Sequence, residues 1–536
     1  MNFDRGNTRS RASSARAPEA TAQIRALHRH APDQDLKGVK RTLRVMKFGG
    51  TSVADASCIR NVVEIIRASS QASDLVVVVS AMAGVTNKLI EAAVQSEAGN
   101  HSAVEKILQE LQNQHARTVE SLIESSTERD RLGRQMQELF EQAHRLCEGT
   151  KLLRELTPRA KDLISSLGER LAAPMVAAAL TQLGVASEAL EATELIVTDS
   201  YHGGAEPWMD QTRERCEMRL HPLVQRGVLP IVTGFIGATE EGTLTTLGRG
   251  GSDYSASILA AALEADEVVI WTDVDGLLTA DPRLVPGACS IPEISYREAA
   301  ELAYFGAKVL HPKTLRALME SGIPVWIRNT FTPERAGTQI TRTGPDGGNA
   351  ARALAVISDA AMITLGGPCL AEAPEVLGRT LAATSAVRSD VLLVSQSSAQ
   401  NEVCLVVPAS HAKRTVEGLR HEFAQELAHQ QAEHVKLDSE VAIVTVVGQD
   451  LRRVPGTVGR LFGALGKKNI NVMAIAQGSS DCKLSYVVEK AELRAALVAT
   501  HHEFQFEAVS VQAVSMGHAG EPAWYYEPQQ PRADAD

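Results

Sequence analysis

Residues 43–52, Leu-Arg-Val-Met-Lys-Phe-Gly-Gly-Thr-Ser, run from an apolar stretch ending in Lys47-Phe48 directly into the pair Gly49-Gly50. Residues 43–48 read as a β-strand and 49–52 as a tight turn. Beyond the turn, Ile59, Val62, Val63 and Ile66 recur at i, i+3, i+4 and i+7, which is one face of an amphipathic helix. The next run, residues 75–79, is continuously apolar, as a strand buried on both faces must be. Further strands are expected at 230–233, 268–271 and 324–327. Strands alternating with helices predict an α/β domain with a mainly parallel sheet between two helical layers, an αβα sandwich over residues 41–342.

Bulk properties limit what surrounds this unit. A chain of 536 residues exceeds one ordinary core, so several domains are expected. A formal net charge of −11 gives no electrostatic reason for a nucleic-acid partner. Cys58, Cys147, Cys216, Cys289, Cys369, Cys404 and Cys482 are scattered without a C-x-x-C pair, the usage of a reducing, cytoplasmic compartment without a zinc or disulfide framework. The longest apolar stretch, near residues 171–183, is interrupted by Pro174 and is too short to span a bilayer. Residues 1–40, rich in Arg, Ser and Ala without apolar periodicity, and residues 517–536 are expected to be disordered tails. A polar helical insertion is expected at about 90–154, with His115 and His144 on its surface.

After a Gly-rich join at 343–349 the pattern changes. Ser395-Gln396-Ser397-Ser398 precedes Val406-Val407, and Ala476-Gln477-Gly478-Ser479-Ser480 precedes Val487-Val488, at a spacing of 81 residues. Each follows a helix-like stretch and a short apolar run. Two small α+β modules of strand–helix–strand–strand–helix order are expected, at 350–430 and 438–516.

Three segments carry chemistry. Around Gly49 and Gly50, exposed backbone N–H groups and the Lys47 cation are what a phosphate requires, although the spacing is not that of a Walker A loop. In Thr246-Leu-Gly-Arg249-Gly-Gly-Ser-Asp253 an arginine stands among three glycines, suited to clamping a carboxylate; Asp253 reads either as a helix cap or as a group holding a lysine. Residues 271–283, Trp-Thr-Asp-Val-Asp-Gly-Leu-Leu-Thr-Ala-Asp-Pro-Arg, leave a buried strand at its carboxyl end, where open α/β sheets bind ligands. Their Asp-x-Asp-Gly spacing lacks the downstream Glu of a calcium loop.

Together with Val-Ser-Ala-Met-Ala-Gly-Val-Thr-Asn at 79–87, Gly-Glu-Arg at 168–170, Gly-Phe-Ile-Gly at 234–237 and Phe-Gly-Ala-Lys-Val-Leu-His-Pro at 305–312, these segments resemble the aspartate kinases of the amino-acid-kinase superfamily. The paired modules resemble that family's ferredoxin-like ACT domains. The resemblance implies transfer of the ATP γ-phosphoryl group to the side-chain carboxylate of L-aspartate, with Mg²⁺ on the nucleotide, in a homo-oligomer that heads lysine, threonine and methionine biosynthesis. It implies a phosphate-facing Lys47 with Gly49 and Gly50 as backbone donors, Arg249 on the aspartate α-carboxylate, and Glu169 on its ammonium. Ser80, Thr86, Phe235, Thr246, Ser252 and Asp253 would line the acceptor pocket, and Thr272, Asp273, Arg283 and Lys308 the nucleotide side. Leu278 departs from the aromatic residue common there, and no direct metal ligands are identified. Gln396 and Gln477, in matching turns, imply an amino-acid effector site, for threonine or alternatively lysine. Another carboxylate kinase on the same fold, or an inactive amino-acid sensor, are the competing readings.

Overall fold

The computed structural model describes residues 41–306, 310–345, 351–367, 373–397, 402–430, 432–478, 480–504 and 506. The first ten strands are β1 (Leu43–Phe48), β2 (Asp74–Val79), β3 (Ser187–Leu190), β4 (Leu229–Thr233), β5 (Ile236–Ala238), β6 (Leu244–Thr246), β7 (Glu267–Thr272), β8 (Glu293–Ser295), β9 (Val325–Asn329) and β10 (Thr338–Thr341). Eight of them form one sheet in the order β3-β4-β2-β1-β7-β9-β10-β8, while β5 and β6 pair as a separate ribbon. Every neighbouring pair in the large sheet is parallel except β10 with β9. This is the expected αβα sandwich.

The period-2 alternation of the central strands decides what each face meets. Val45, Val76, Val78, Val268 and Ile270 enter one buried cluster, with Ala256 and Leu259 of the helix Gly251–Ala262. Met46, Phe48, Val77, Val79, Val269 and Trp271 enter the other, with Ile59, Val62 and Ile66 of the helix Ala56–Ser70. Each fully buried side chain of this size contributes about 1.5–3 kcal/mol, which accounts for the unbroken apolar runs. Lys47 shares parity with Val45, so its side chain lies on the face covered by Gly251–Ala262. Strand register thereby sets a chemical contact.

The helical excursion is present as Val85–Ala98, His101–Leu122 and Ser126–Leu153. One expectation fails there: His115 is fully buried. Its Nδ1 lies 2.7 Å from the Leu111 carbonyl oxygen, its ring meets Phe140 edge-on, and burial holds its pKa below the usual histidine range. Its position on the apolar stripe with Leu108 and Leu111 explains this, whereas His144 is partly exposed beside Glu105. A second expectation also fails. The helices Pro158–Ser165 and Leu167–Gln182 together make a segment long and apolar enough to cross a membrane, but 89% of its apolar 18-residue stretch is buried inside the protein. It is a core element of the second cluster.

The remaining strands are β11 (Ala353–Gly366), β12 (Leu393–Ser397), β13 (Glu402–Pro408), β14 (His434–Val447), β15 (Ala474–Ala476) and β16 (Lys483–Glu489). The repeat is visible as geometry: β11 and β14, β13 and β16, and the helices Ala412–Glu422 and Leu493–Glu503 each start 81 residues apart. The modules do not keep separate sheets. Their first strands pair with each other, giving one antiparallel sheet in the order β12-β13-β11-β14-β16-β15. β14 starts at His434, ahead of the 438 expected for the second module, and its first residues pair with the end of β11.

Gln396 lies within β12, opposite Val403, and not in a turn; Gln477 follows directly on β15. Both side chains are exposed.

The helix Tyr296–Tyr304 joins the two parts. Ser295 caps it through a capping box with Glu298, whose other carboxylate oxygen meets Arg352 Nε at 3.1 Å. Glu301 pairs with Lys483 on β16 and accepts from Ser480 Oγ, both at 3.0 Å. Thr279 Oγ1 lies 3.0 Å from His501 Nε2, and the Thr279 carbonyl accepts from the Leu354 N–H at 2.7 Å.

Candidate functional site

At the carboxyl ends of β1, β2 and β4 a cavity of about 780 Å³ opens. Lys47, Gly50, Ser80, Thr86, Glu169, Phe235, Thr246, Arg249, Ser252 and Asp253 all line it. The sequence places these residues in segments as far apart as Lys47 and Asp253; the parallel sheet brings them to one edge, where ligands of such folds bind.

Lys47 is nearly buried, and its Nζ lies 2.5 Å from Asp253 Oδ1. Asp253 is therefore a partner of the lysine and not a helix cap. The N-cap position of Gly251–Ala262 is Gly250, and Asp253 stands in the first turn. That helix start is tightly built: Gly250 has φ +71°, and a Cβ there would stand 2.6 Å from His311 Cβ. A side chain at Gly250 would displace the loop that presents Arg249. Phe235 takes φ +72°, an unusual value for a residue with a side chain, and it is held by a hydrogen bond from its N–H to Ser255 Oγ at 2.9 Å.

Glu169 is buried, and its Oε2 has no hydrogen-bond partner among the described residues. Burial raises its pKa to about 8, against the opposing pull of the Ala81 backbone N–H and the Lys47 charge. A buried, unsatisfied carboxylate oxygen at a cavity wall fits a cationic ligand group. Arg249, in contrast, is exposed and has no ion-pair partner among the described residues, so its fork is free for an anion.

The nucleotide side is less complete. Gly49 does not serve as a free phosphate donor, because its N–H donates to the Trp271 carbonyl at 3.1 Å; Gly50 lines the cavity instead. Thr272 ends β7, and its hydroxyl lies 3.3 Å from Asp273 Oδ1. Arg283 is highly exposed and paired with Asp281 at 2.6 Å, outside the cavity. Lys308 lies outside the described residues. Asp275 has a structural task, accepting from Asn329 Nδ2 at 2.7 Å and Thr332 Oγ1 at 2.8 Å. No three His, Cys, Asp or Glu side chains converge as an ion cage among the described residues.

Sequence reasoning missed Asp162 and His202. Asp162 is buried and accepts from Thr246 Oγ1 at 2.6 Å, Thr246 N at 3.2 Å, Gly203 N at 3.1 Å and His202 Nδ1 at 2.8 Å. Both residues line the cavity. Asp162 lies in a short mixed helix with Arg159 and Lys161, so its local sequence gave no signal.

Residues 42–329 match the amino acid kinase family model, and residues 444–504 match an ACT domain model. Aspartokinase 1, chloroplastic, of Arabidopsis thaliana is 33% identical over 86% of this chain and 80% of its own length. The bifunctional aspartokinase/homoserine dehydrogenase of Haemophilus influenzae is 31% identical over 86% of the chain, which spans 56% of that longer relative. E. coli aspartokinase III, solved in complex with aspartate and ADP, is similar at TM-score 0.71 and 31% identity, with 86% of this chain and 99% of that one covered. The same enzyme has been solved with lysine and aspartate, again at TM-score 0.71. With its kinase-family sheet, its ACT region and these relatives, the chain belongs to the aspartokinases of the amino acid kinase family.

Proposed function

We propose that the protein is an aspartate kinase, converting ATP and L-aspartate to ADP and 4-phospho-L-aspartate at the start of the lysine, threonine and methionine routes. The observation that carries this reading is the pairing of opposite demands in one cavity: a buried, unsatisfied Glu169 and an unpaired Arg249 flank a lysine at the strand edge. An α-amino acid supplies an ammonium and a carboxylate for the first two. Its side-chain carboxylate is then left to face the phosphoryl group.

That carboxylate is already a nucleophile, so no general base is required. Catalysis consists of positioning plus charge stabilisation. Lys47, oriented by Asp253, offsets charge on the transferring oxygens, while Gly50 lets the backbone approach them. Glu169 and Arg249 fix the acceptor, and Phe235, Ser80, Thr86 and Ser252 shape its walls. Thr272, Asp273 and Lys308 are assigned to the nucleotide by resemblance. Mg²⁺ would enter as part of the nucleotide substrate. The test is ADP release with ATP and a panel of acceptors. Turnover dependent on L-aspartate and absent with L-glutamate or N-acetyl-L-glutamate is expected; turnover with another acceptor, or none, contradicts the reading.

Regulation is assigned to the six-stranded sheet. Its two edge strands, β12 and β15, approach within 8 Å, which brings together the strands carrying Gln396 and preceding Gln477. An amide there can both donate to and accept from a hydroxyl or carboxylate, which favours threonine. Lysine is the second reading, favoured by the lysine-bound E. coli relative. A homo-oligomer in the cytoplasm completes the proposal; for the reducing compartment the support is the six free thiols among the described residues.

A further inference from the structure

The wall of the cavity beside Arg249 is organised by a group outside the roles assigned so far. Asp162 receives four hydrogen bonds, from the hydroxyl and N–H of Thr246, the N–H of Gly203 and Nδ1 of His202. Those donors belong to two separate loops. Thr246 ends the strand β6 that leads into the Arg249 loop, and residues 202–204 abut the same loop, since a Cβ on Gly248 would stand 2.8 Å from the Gly203 carbonyl oxygen. A carboxylate with 2% of its surface exposed, satisfied on both oxygens, holds the two loops in one register.

His202 is the member of this cluster with capacity left. Its Nδ1 is committed to Asp162 at 2.8 Å, so the ring is fixed, and Nε2 is its remaining polar atom. Nε2 has no hydrogen-bond partner among the described residues, although the ring lines the cavity and its side chain is only 17% exposed. With Nδ1 donating to Asp162, the doubly protonated ring presents Nε2–H as a donor to a planar anion, on the cavity wall that Arg249 also lines.

We propose that His202, positioned by Asp162, is a specificity-determining residue that binds the α-carboxylate of the acceptor amino acid together with Arg249. This inference rests on the aspartate kinase reading and assigns one more contact within that site. The contact is made equally in the bound substrate and in the transition state, so its loss shows in KM and not in kcat. Asp162 acts through His202 and through the Arg249 loop, and is a positioning residue.

The experiment is steady-state kinetics of the full chain, parent and variants, with L-aspartate and with its α-carboxamide as acceptors. Aspartate-dependent ADP release by the parent is established first; its absence refutes the kinase reading itself. Given an active parent, His202→Ala is expected to raise KM for aspartate by ~10–100-fold, with kcat and KM for ATP nearly unchanged. His202→Gln, whose amide can still donate, is expected to recover part of the loss. The preference for aspartate over the carboxamide is expected to shrink in His202→Ala, because the lost contact was to the carboxylate. Asp162→Asn is expected to reproduce the KM effect and to add little to it in the double variant. An unchanged KM in a folded His202→Ala protein overturns the proposal. So does a loss confined to kcat, or an undiminished preference over the carboxamide. Should Asp162→Asn unfold, the His202 variants alone decide.

Discussion

Lys47 and Asp253 form a 2.5 Å ion pair across the boundary between the central strand β1 and the helix that follows the Arg249 loop. Both partners are largely shielded from solvent, so neither charge is freely replaced by water. Strand parity puts Lys47 on the face which that helix covers, and the helix start puts Asp253 within reach. For Lys47→Ala the expected result is a loss on the order of 10²–10³ in kcat, with the far-ultraviolet circular dichroism retained. Asp253→Asn is expected to lower kcat less, because the lysine keeps its charge and loses its orientation. Equal turnover of Lys47→Ala and parent contradicts the assigned role.

Glu169 makes the site sensitive to pH. Its pKa, raised by burial to about 8, lies above the ordinary value of 4.5. The empty protein therefore carries a protonated Glu169 through neutrality, and capture of an ammonium requires the ionised form. KM for aspartate is expected to fall as pH rises toward about 8 and then to level off. The stability contribution has the matching sign: it is present below pH 4.5 and lost as pH rises through about 8, since the folded state holds the proton more tightly. Glu169→Gln is expected to remove the pH dependence of both quantities while weakening aspartate binding. A pH-independent KM in the parent counts against the ammonium role.

The helix Tyr296–Tyr304 carries the mechanical link between sheet and regulatory region, and Glu298 holds two of its attachments. Removing the carboxylate in Glu298→Ala opens the capping box with Ser295 and the buried pair with Arg352 together. Breaking a buried pair typically destabilises by about 3–5 kcal/mol, so a fall in Tm of about 3–8 °C is expected. Differential scanning calorimetry measures it, and a change of a degree or less shows that the link carries no weight.

Gln477 stands directly after β15, three residues from Ser480, whose hydroxyl donates to Glu301 on the same helix. An effector bound at Gln477 thus has a short covalent and hydrogen-bonded route to the kinase domain. Gln477→Ala is expected to relieve inhibition by threonine, or by lysine in the second reading, with basal activity intact. The coupling at stake is about 1–3 kcal/mol, or roughly 5–150-fold in effector affinity. Activity titrations of both proteins with each amino acid decide, and identical curves exclude this position.

Much of this was readable in the residues because the sheet is buried on both faces. Apolar runs such as 75–79 declare a parallel interior strand, and glycine turns at their carboxyl ends mark the ligand edge. The lining of the cavity followed from motif residues that do converge, from Ser80 to Asp253. What stayed hidden depended on tertiary partners. The Gly49 N–H is consumed by Trp271, a residue over two hundred positions away, and no local pattern reveals that. Asp162 stands beside Arg159 and Lys161 in a short mixed helix, and nothing local marks it as the buried member. His115 appeared polar in a polar helix, yet its stripe faces inward. The pairing of the two regulatory modules through β11 and β14 likewise required the structure, since the repeat alone does not say which edges join.

The central claim is that the phosphoryl group is transferred to the side-chain carboxylate of aspartate. An acyl phosphate is attacked by hydroxylamine, so the direct measurement is trapping of the product from ATP and L-aspartate, followed by mass analysis of the hydroxamate. Aspartate β-hydroxamate is expected, formed in step with ADP by the parent and lost with Lys47→Ala. ADP released without any hydroxamate, or a hydroxamate on the α-carboxyl group, contradicts it.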